Sequence, residues 1–214
     1  MYFILTIVII LQFVCAYFLR KKYDPGRNKE TLVSCFITSM ISLITNSIYQ
    51  MHFLLDNGFI LVYYDIYRYS FFEFFVQSLF YIIMTDFMLY VVHRLLHCKI
   101  LYKYVHYFHH TNINPTAFDF ASIHPIESIM VFTTFHITAF IIPVYIAILE
   151  LYILHVGLRS LLEHGNGWKV IEKVPILKHM YNNHHNVHHK YFAVNYGLGS
   201  YPAIWDKVFN TLRD

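Results

Sequence analysis

The sequence predicts an all-α integral membrane protein with about four transmembrane helices or hairpins and a cytoplasmic, histidine-rich helical cap. Three observations lead to this prediction. Of the 214 residues, 57% are hydrophobic and only 14% are charged, whereas soluble domains carry about 25% charged residues. Apolar stretches long enough to cross a bilayer recur along the chain. Fourteen of the 15 histidines lie between residues 93 and 189, most of them outside those stretches.

Three apolar stretches form the N-terminal part of the chain. Residues 2–19 are predicted to be a retained membrane anchor, because they lack the basic n-region and the small-residue cleavage site of a signal peptide. Residues 32–55 form a second span that is richer in Ser and Thr. A third span, 71–92, runs without a break into His93. Each stretch reaches the roughly 17–20 apolar residues that a membrane span requires.

The fourth apolar block, 126–158, is too long for one simple span and contains Pro143. Proline removes a backbone donor and kinks or ends a helix, so we expect two short helices that form a membrane hairpin. This layout puts 15 of the 16 Lys and Arg residues on one face, which the positive-inside rule makes cytoplasmic. The single membrane domain, 1–214, is then divided into transmembrane helices at 1–92, a first cytosolic metal-binding segment at 93–125, the hairpin, and a second cytosolic metal-binding segment at 159–214.

Nine histidines follow a repeated spacing. His93 and His97 are four positions apart, H-x-x-H-H occurs at 106–110 and again at 185–189, and His164 lies in the sequence Glu-His-Gly-Asn. Residues three and four apart share a helix face, so each motif directs two or three imidazoles to one side. Such an arrangement suits two neighbouring metal ions. The nine candidates are His93, His97, His106, His109, His110, His164, His185, His188 and His189.

The composition around these histidines excludes several kinds of metal site. Nine histidines are too many for one structural or hydrolytic zinc ion, and the protease motif H-E-x-x-H is absent. No E-x-x-H pair is present, which excludes the carboxylate-bridged di-iron bundle. Imidazole suits Zn, Cu, Fe and Ni alike, so the spacing predicts a polynuclear imidazole site and leaves the metal open. We interpret four other histidines as interfacial or core residues, namely His52, His136, His155 and His179.

Six stretches of this region resemble the sterol desaturase and fatty acid hydroxylase superfamily. DFMLYVVHRLLH (86–97), LYKYVHYFHH (101–110) and HHNVHHKYFAVNYG (184–197) look like its three histidine boxes. IHPIES (123–128), EHGNG (163–167) and WDKVFNT (205–211) resemble the stretches that accompany the boxes. The likeness is nearest to sterol C5-desaturases and to sterol C4-methyl oxidases and hydroxylases.

The resemblance implies an O2-dependent oxidase in which the nine histidines bind two non-haem irons. Its substrate is expected to be a lipid, with a sterol preferred, and the reaction a desaturation or a hydroxylation. Metal-bound histidines usually donate their second N–H to a carboxylate or carbonyl, so Asp86, on nearly the same helical face as His93, is a candidate to orient a histidine. The other candidates are Tyr90, which lies between Asp86 and His93, Asn166 as support for a metal-bound water, Asn186 where many members have Asp, and His124, which we expect to start a helix.

No haem, flavin or nucleotide motif is visible. Electrons are therefore expected from an external donor of the cytochrome b5 or ferredoxin type that docks on the basic face. In a eukaryotic cell we expect the endoplasmic reticulum membrane, with the histidines in the cytoplasm. The net charge of +3 is spread along the chain and does not suggest a nucleic-acid partner. Two alternatives stay open: a fatty acyl, sphingolipid or carotenoid hydroxylase of the same superfamily, and a non-catalytic metal-binding or transport protein.

Overall fold

A computed structural model describes the part of the chain that carries the histidine motifs. The described residues are 37–38, 40–42, 44–45, 48–49, 58–111, 113–165, 169, 173, 184–200 and 202–213. The predicted anchor, 2–19, lies outside the described residues. So does most of the predicted second span, 32–55, although its described residues are helical.

The predicted third span lies within α1 (Phe71–Leu96), a helix of 26 residues. Ser70 caps its start: the Ser70 hydroxyl accepts a hydrogen bond from the Glu73 N–H, and the Glu73 carboxylate accepts one from the Ser70 N–H. This reciprocal pair satisfies donors that the first helical turn leaves unpaired. Among the described helices, α1 is the one long and apolar enough to cross a membrane.

The two sides of α1 have different surroundings. Tyr81, Leu89 and His93 follow one another at multiples of four residues and are buried. On the other side, large apolar residues such as Phe72 and Phe75 are exposed. Such a row of exposed apolar side chains along a helix suits contact with lipid.

Short helices connect α1 to the next long helix. They are α2 (Lys99–Leu101), a π-helical turn at Tyr102–His106, α3 (Tyr107–His110) and a 3-10 turn at Ala117–Ala121. Helix α4 (Pro125–Ile137) follows, and the Nδ1 atom of His124 caps it by accepting a hydrogen bond from the Ile126 N–H at 3.1 Å. This confirms the prediction that His124 starts a helix.

The apolar block around Pro143 consists of two helices with a break between them. After α4 come a 3-10 turn at Thr138–Phe140, the strand β2 (Val144–Tyr145) and α5 (Ile146–His164). β2 pairs in parallel with β1 (Val62–Tyr63), so the described fold is mostly, not wholly, helical. The pairing has a physical reason: Pro143 interrupts the helix, and the Val144 N–H then donates to the Leu61 carbonyl at 2.9 Å. Membrane entry of this hairpin remains a prediction.

The apolar core lies between α1, α4 and α5. Its buried residues include Tyr81 and Leu89 from α1, Phe135 from α4 and Tyr152 from α5. The chain ends with two short helices, α6 (His184–Tyr191) and α7 (Pro202–Val208). The histidines of α1, α3, α5 and α6 meet at one end of this arrangement.

Candidate metal centre

The structure brings all nine predicted histidines together in two groups. Within each group, the candidate ligand nitrogens all lie within 4.8 Å of one another. Eight of the nine residues are buried, and His97 is half-buried. The five-histidine cluster consists of His93, His97, His106, His110 and His188, and the four-histidine cluster consists of His109, His164, His185 and His189.

Each H-x-x-H-H motif contributes to both clusters. In the 106–110 motif the first and last histidines belong to the five-histidine cluster, and His109 belongs to the other. In the 185–189 motif the distribution is reversed, because only His188 belongs to the five-histidine cluster. Residues four apart share a helix face, whereas adjacent residues point about 100° apart. The periodicity of a single helix therefore divides the imidazoles between two positions.

The Nε2 atoms within a cluster are as close as nitrogens bound to a common ion. The Nε2 atom of His188 lies 3.1 Å from that of His97 and 3.1 Å from that of His110. The Nε2 atom of His185 lies 3.1 Å from those of His164 and His189. At a metal–nitrogen distance of about 2.1 Å, neighbouring ligands of a tetrahedral or octahedral ion are about 3.0–3.4 Å apart.

Hydrogen bonds at the second ring nitrogen define the protonation of three imidazoles. In each case the Nδ1–H donates to a backbone carbonyl: His93 to Tyr196 (2.7 Å), His188 to Val194 (2.6 Å) and His164 to Ser160 (2.6 Å). A carbonyl can only accept, so the Nε2 atom of each neutral ring presents a lone pair to its cluster. Converging lone pairs repel one another unless a cation lies between them. The donor set therefore fits a bound metal in each cluster.

Two buried carboxylates near the clusters were missed by sequence reasoning. Oε1 of Glu127 lies 2.8 Å from Nδ1 of His106, and both side chains are buried. Oδ2 of Asp206 lies 3.0 Å from Nε2 of His184, which directly precedes a ligand candidate. Both carboxylates occur in stretches that carry the family resemblance, IHPIES and WDKVFNT. This resemblance could have pointed to the two carboxylates. It could not have shown their partners, because neither stretch contains the histidine that its carboxylate contacts.

Burial keeps the imidazoles neutral. It lowers the pKa of His106 to about 3. Burial together with the charges of neighbouring histidines lowers the pKa of His97 to about 3. The same causes lower the pKa of His109 to about 3, although the charge of Glu127 acts in the opposite direction. The same two causes lower the pKa of His188 well below its usual value, although its hydrogen bond to Val194 opposes them. Neutral imidazole is the form that binds metals.

Asp86 was predicted as a candidate to orient a histidine, and it hydrogen-bonds to α5 and to the segment that follows α6. Its carboxylate accepts hydrogen bonds from the Tyr152 hydroxyl and from the Ser200 backbone N–H. The Nδ1–H of His93 instead donates to the Tyr196 carbonyl. Tyr196 lies 103 residues after His93 in the sequence, so only the tertiary fold brings its carbonyl next to the His93 ring.

The remaining predicted residues lie around the clusters. The Tyr90 hydroxyl accepts from Arg94 at 3.0 Å and lies 3.1 Å from the Thr211 hydroxyl. Asn186 donates to the Glu163 carbonyl at 2.9 Å and so joins α6 to the end of α5. Asn166 lies outside the described residues, and His124 belongs to neither cluster.

A glycine allows the end of α5 to approach the 117–121 turn. A Cβ atom on Gly165 would lie 2.8 Å from the Cβ atom of Ala117, closer than two such atoms can pack. His164 directly precedes this glycine and belongs to the four-histidine cluster. The close approach therefore helps to position His164 next to His109, which precedes the turn.

Comparison with known proteins identifies the relatives of this arrangement. The family model described as fatty acid hydroxylase matches residues 78–211, a range that contains all nine histidines. Human lathosterol oxidase is 33% identical over 149 residues, which cover 68% of this chain and 48% of the relative. The mouse lathosterol oxidase is 31% identical over 62% of this chain and 44% of the relative. The Delta(7)-sterol 5(6)-desaturase of Gibberella zeae is 34% identical over 68% of this chain and 39% of the relative.

These alignments have a limited extent. The chain spans about half the length, or less, of these curated relatives. No solved structure matches it significantly.

Proposed function

Because the chain belongs to the fatty acid hydroxylase family, we propose that it is an O2-dependent membrane oxidoreductase that binds two non-haem irons and desaturates or hydroxylates a lipid. The observation that carries this proposal is the division of nine histidines into two compact clusters. A sterol is the proposed substrate, and support comes from relatives called lathosterol oxidase and sterol 5(6)-desaturase.

The donor set supports a redox metal. Structural zinc sites are almost always four-coordinate, so a cluster of five imidazoles exceeds what such a site uses. Imidazole nitrogen is a suitable ligand for iron. When bound, the irons would supply the activation of O2 and the oxidation of an unactivated C–H bond, while the protein supplies binding and orientation.

The side chains around the clusters hold the imidazoles in position. Glu127 accepts from His106, and the carbonyls of Tyr196 and Val194 accept from histidines of the same cluster. Such partners fix the tautomer and the orientation of a ligand ring. His188 and His189 have no exposed surface, so bulk water is kept away from the nitrogens at the centre of the site.

The exposed charges support the proposed orientation and electron donor. Arg94, Lys99, Lys103 and Lys190 are exposed at the end of the molecule where the histidines lie. Basic residues beside a span favour the cytoplasmic side, which for a eukaryotic cell would be the cytoplasmic face of the endoplasmic reticulum. A basic surface also attracts an acidic redox protein, such as a donor of the cytochrome b5 or ferredoxin type.

A second candidate is a hydroxylase of fatty acyl, sphingolipid or carotenoid chains. It is favoured by the description of the matching family model, which refers to fatty acids. Both candidates would use the same two clusters, and they differ in the lipid that reaches them.

Expression in a heterologous host, followed by mass spectrometry of its sterols and fatty acids, tests the proposal. We expect new sterol double bonds or hydroxyls with the wild-type protein and none with His109→Ala. His124→Asn is the matched control, because it changes a histidine outside both clusters and retains a capping acceptor. Hydroxylated acyl chains in place of altered sterols would support the second candidate. Metal flux across vesicles without O2 consumption would overturn the enzyme proposal.

A further inference from the structure

Asp206 is fully buried, and both of its carboxylate oxygens are used. Oδ2 accepts from the Gly197 N–H at 2.8 Å and from the His184 ring at 3.0 Å. Oδ1 accepts from the Tyr196 N–H at 2.9 Å and from the Thr211 hydroxyl at 2.6 Å. A buried carboxylate with four donors is a fixed point to which separate parts of the chain are attached.

The turn attached to Asp206 provides the acceptors for two histidines. The Asp206 carboxylate binds the backbone N–H groups of Tyr196 and Gly197, while the Tyr196 carbonyl accepts from His93. Two residues before Tyr196, the Val194 carbonyl accepts from His188. Both of these histidines belong to the five-histidine cluster. The carboxylate thus binds N–H groups of the turn, and carbonyl groups of the same turn bind the rings of the two ligand candidates.

The backbone of this turn is held in a conformation that few residues adopt. Asn195 is buried and has a φ of 56°, in the left-handed region. Its side chain donates to the carbonyls of His184 (3.3 Å) and Arg213 (2.8 Å) and accepts from the Arg213 N–H at 2.7 Å. The Asn195 N–H also donates to the Thr211 carbonyl at 2.9 Å. The C-terminal residues therefore hold the turn at three points, through Asp206, Thr211 and Arg213.

The same C-terminal segment is attached to α1. The Trp205 ring packs 4.9 Å from that of Phe87, and the Phe209 ring stacks 5.2 Å from that of Tyr90. The Thr211 hydroxyl donates to Asp206 and therefore accepts from the Tyr90 hydroxyl at 3.1 Å. Tyr90 lies one helical turn before His93, so the segment contacts the histidine helix and the acceptor turn together.

From these contacts we propose that Asp206 is a positioning residue for the five-histidine cluster, acting through the turn that carries the Tyr196 and Val194 carbonyls. This inference rests on the proposed function only in requiring that each cluster binds an ion. It gives the WDKVFNT stretch a role: aromatic residues attach it to α1, and its carboxylate holds the turn.

No ring of the four-histidine cluster hydrogen-bonds to the turn that Asp206 holds within the described residues, and Asp206 reaches this cluster through His184, the residue before His185. His164 donates to the Ser160 carbonyl, which belongs to the same helix. The Nδ1 atoms of His109, His185 and His189 are buried without a hydrogen-bond partner among the described residues. Loss of Asp206 should therefore weaken the two clusters unequally.

Anaerobic Fe²⁺ titration of the purified full chain tests this in two backgrounds. His164→Ala with His189→Ala leaves the five-histidine cluster, and His97→Ala with His110→Ala leaves the other. We expect Asp206→Asn to weaken Fe²⁺ binding about 10–100-fold in the first background, the usual effect of losing an outer partner. In the second background we expect less than about a threefold change. Equal weakening in both backgrounds, or no change in either, would overturn the proposal.

A second pair of variants covers the case in which Asp206→Asn does not fold. Thr211→Val removes one donor to Asp206 and keeps the side-chain volume, and Thr211→Ser keeps the hydroxyl. We expect weaker Fe²⁺ binding with valine in the first background and restored binding with serine. Equal binding by both variants would contradict the role of Asp206. A wild-type protein that is folded but binds no Fe²⁺ contradicts the proposed function itself, so the two failures are distinguishable.

Discussion

The two histidine clusters differ in how their rings are held. In the five-histidine cluster, three rings donate their second N–H to partners outside the cluster: His93 to Tyr196, His106 to Glu127 and His188 to Val194. In the four-histidine cluster, His164 does so, and the Nδ1 atoms of its other three rings have no hydrogen-bond partner in the described part of the chain. The first cluster is therefore held in place before an ion arrives, and the second depends more on the ion itself.

The energetic meaning of this difference follows from the cost of burial. A buried polar atom without a hydrogen bond costs about 1–3 kcal/mol. Three such atoms in one small cluster favour other ring orientations when no ion is bound. The five-histidine cluster contains one, the Nδ1 atom of His110. We therefore expect the five-histidine cluster to bind its ion more tightly.

The largest expected effect comes from removing one ligand candidate from each cluster. His185→Ala leaves three histidines in a cluster with few outside partners, and we expect its metal affinity to fall more than about 100-fold, beyond the usual loss for an outer partner. His97→Ala leaves four histidines in the better-held cluster, so we expect a smaller loss. Metal content per chain after dialysis against a weak chelator measures both. If both variants retained the same amount of metal, the proposed difference in affinity between the two clusters would be wrong.

The next effect concerns the carboxylate that orients His106. We expect Glu127→Ala to weaken metal binding about 10–100-fold at the five-histidine cluster. Glu127→Gln retains an acceptor for the His106 N–H and should lose less. Fe²⁺ titration in the variant that lacks His164 and His189 isolates this cluster. Equal losses for alanine and glutamine would show that the hydrogen bond is not what matters at this position.

Much of this contrast could not have been predicted from the sequence. Local patterns predicted α1, the interruption near Pro143 and the nine histidines, because each depends on residues close together in the chain. The outside partners depend on contacts between distant residues: Glu127 lies 21 positions from His106, and Tyr196 lies 103 from His93. The pairing of β1 with β2 was also unpredictable, since two residues per strand are too few to show alternation.

The assignment of each histidine to a cluster was only partly predictable. The i, i+4 spacing predicts that His106 and His110 share a face, and the structure puts them in one cluster. The cluster that His109 joins depends on the packing of α3 against α5 and α6, which carry the other histidines of that cluster. Asp86 shows the same limit, because its hydrogen bonds to Tyr152 and Ser200 join residues that are far apart in the sequence.

The pH dependence of the metal-free protein tests whether both clusters are neutral. The pKa values of His97, His106 and His109 are lowered to about 3 in the folded state, against about 6.5 when unfolded. Between these values the unfolded state binds protons that the folded state does not, so stability falls as the pH decreases from 6.5 toward 3. The expected loss is about 1.4 kcal/mol per pH unit for each such histidine. It is partly offset by Glu127, because burial raises the pKa of that carboxyl to about 8 and its contribution to stability increases as the pH falls.

Thermal unfolding in detergent with excess chelator provides this measurement. His106→Gln removes one titrating group and should reduce the pH dependence by about one proton. Stability that stays constant from pH 6.5 to 4.5 would show that the rings are not held neutral.

The smallest expected effect concerns His124, which lies near the clusters in sequence and outside both in space. We expect His124→Ala to destabilise the protein by about 1 kcal/mol, since it removes the cap of α4, and to leave metal content unchanged. His124→Asn keeps a capping acceptor and should recover most of the stability. Loss of an ion from the alanine variant would mean that His124 contributes to one of the clusters.

The length of α1 has a consequence for what the clusters can reach. From Phe71 to His93 the helix advances 22 residues, or about 33 Å at 1.5 Å per residue, which is close to the thickness of the hydrocarbon core. In the proposed membrane oxidoreductase, this length would set the depth of the histidines relative to the bilayer. One inserted residue would shift His93 by about 1.5 Å and turn it by about 100°. For the proposed lipid oxidation, the number of residues in α1 would then determine which bond along the lipid the clusters reach.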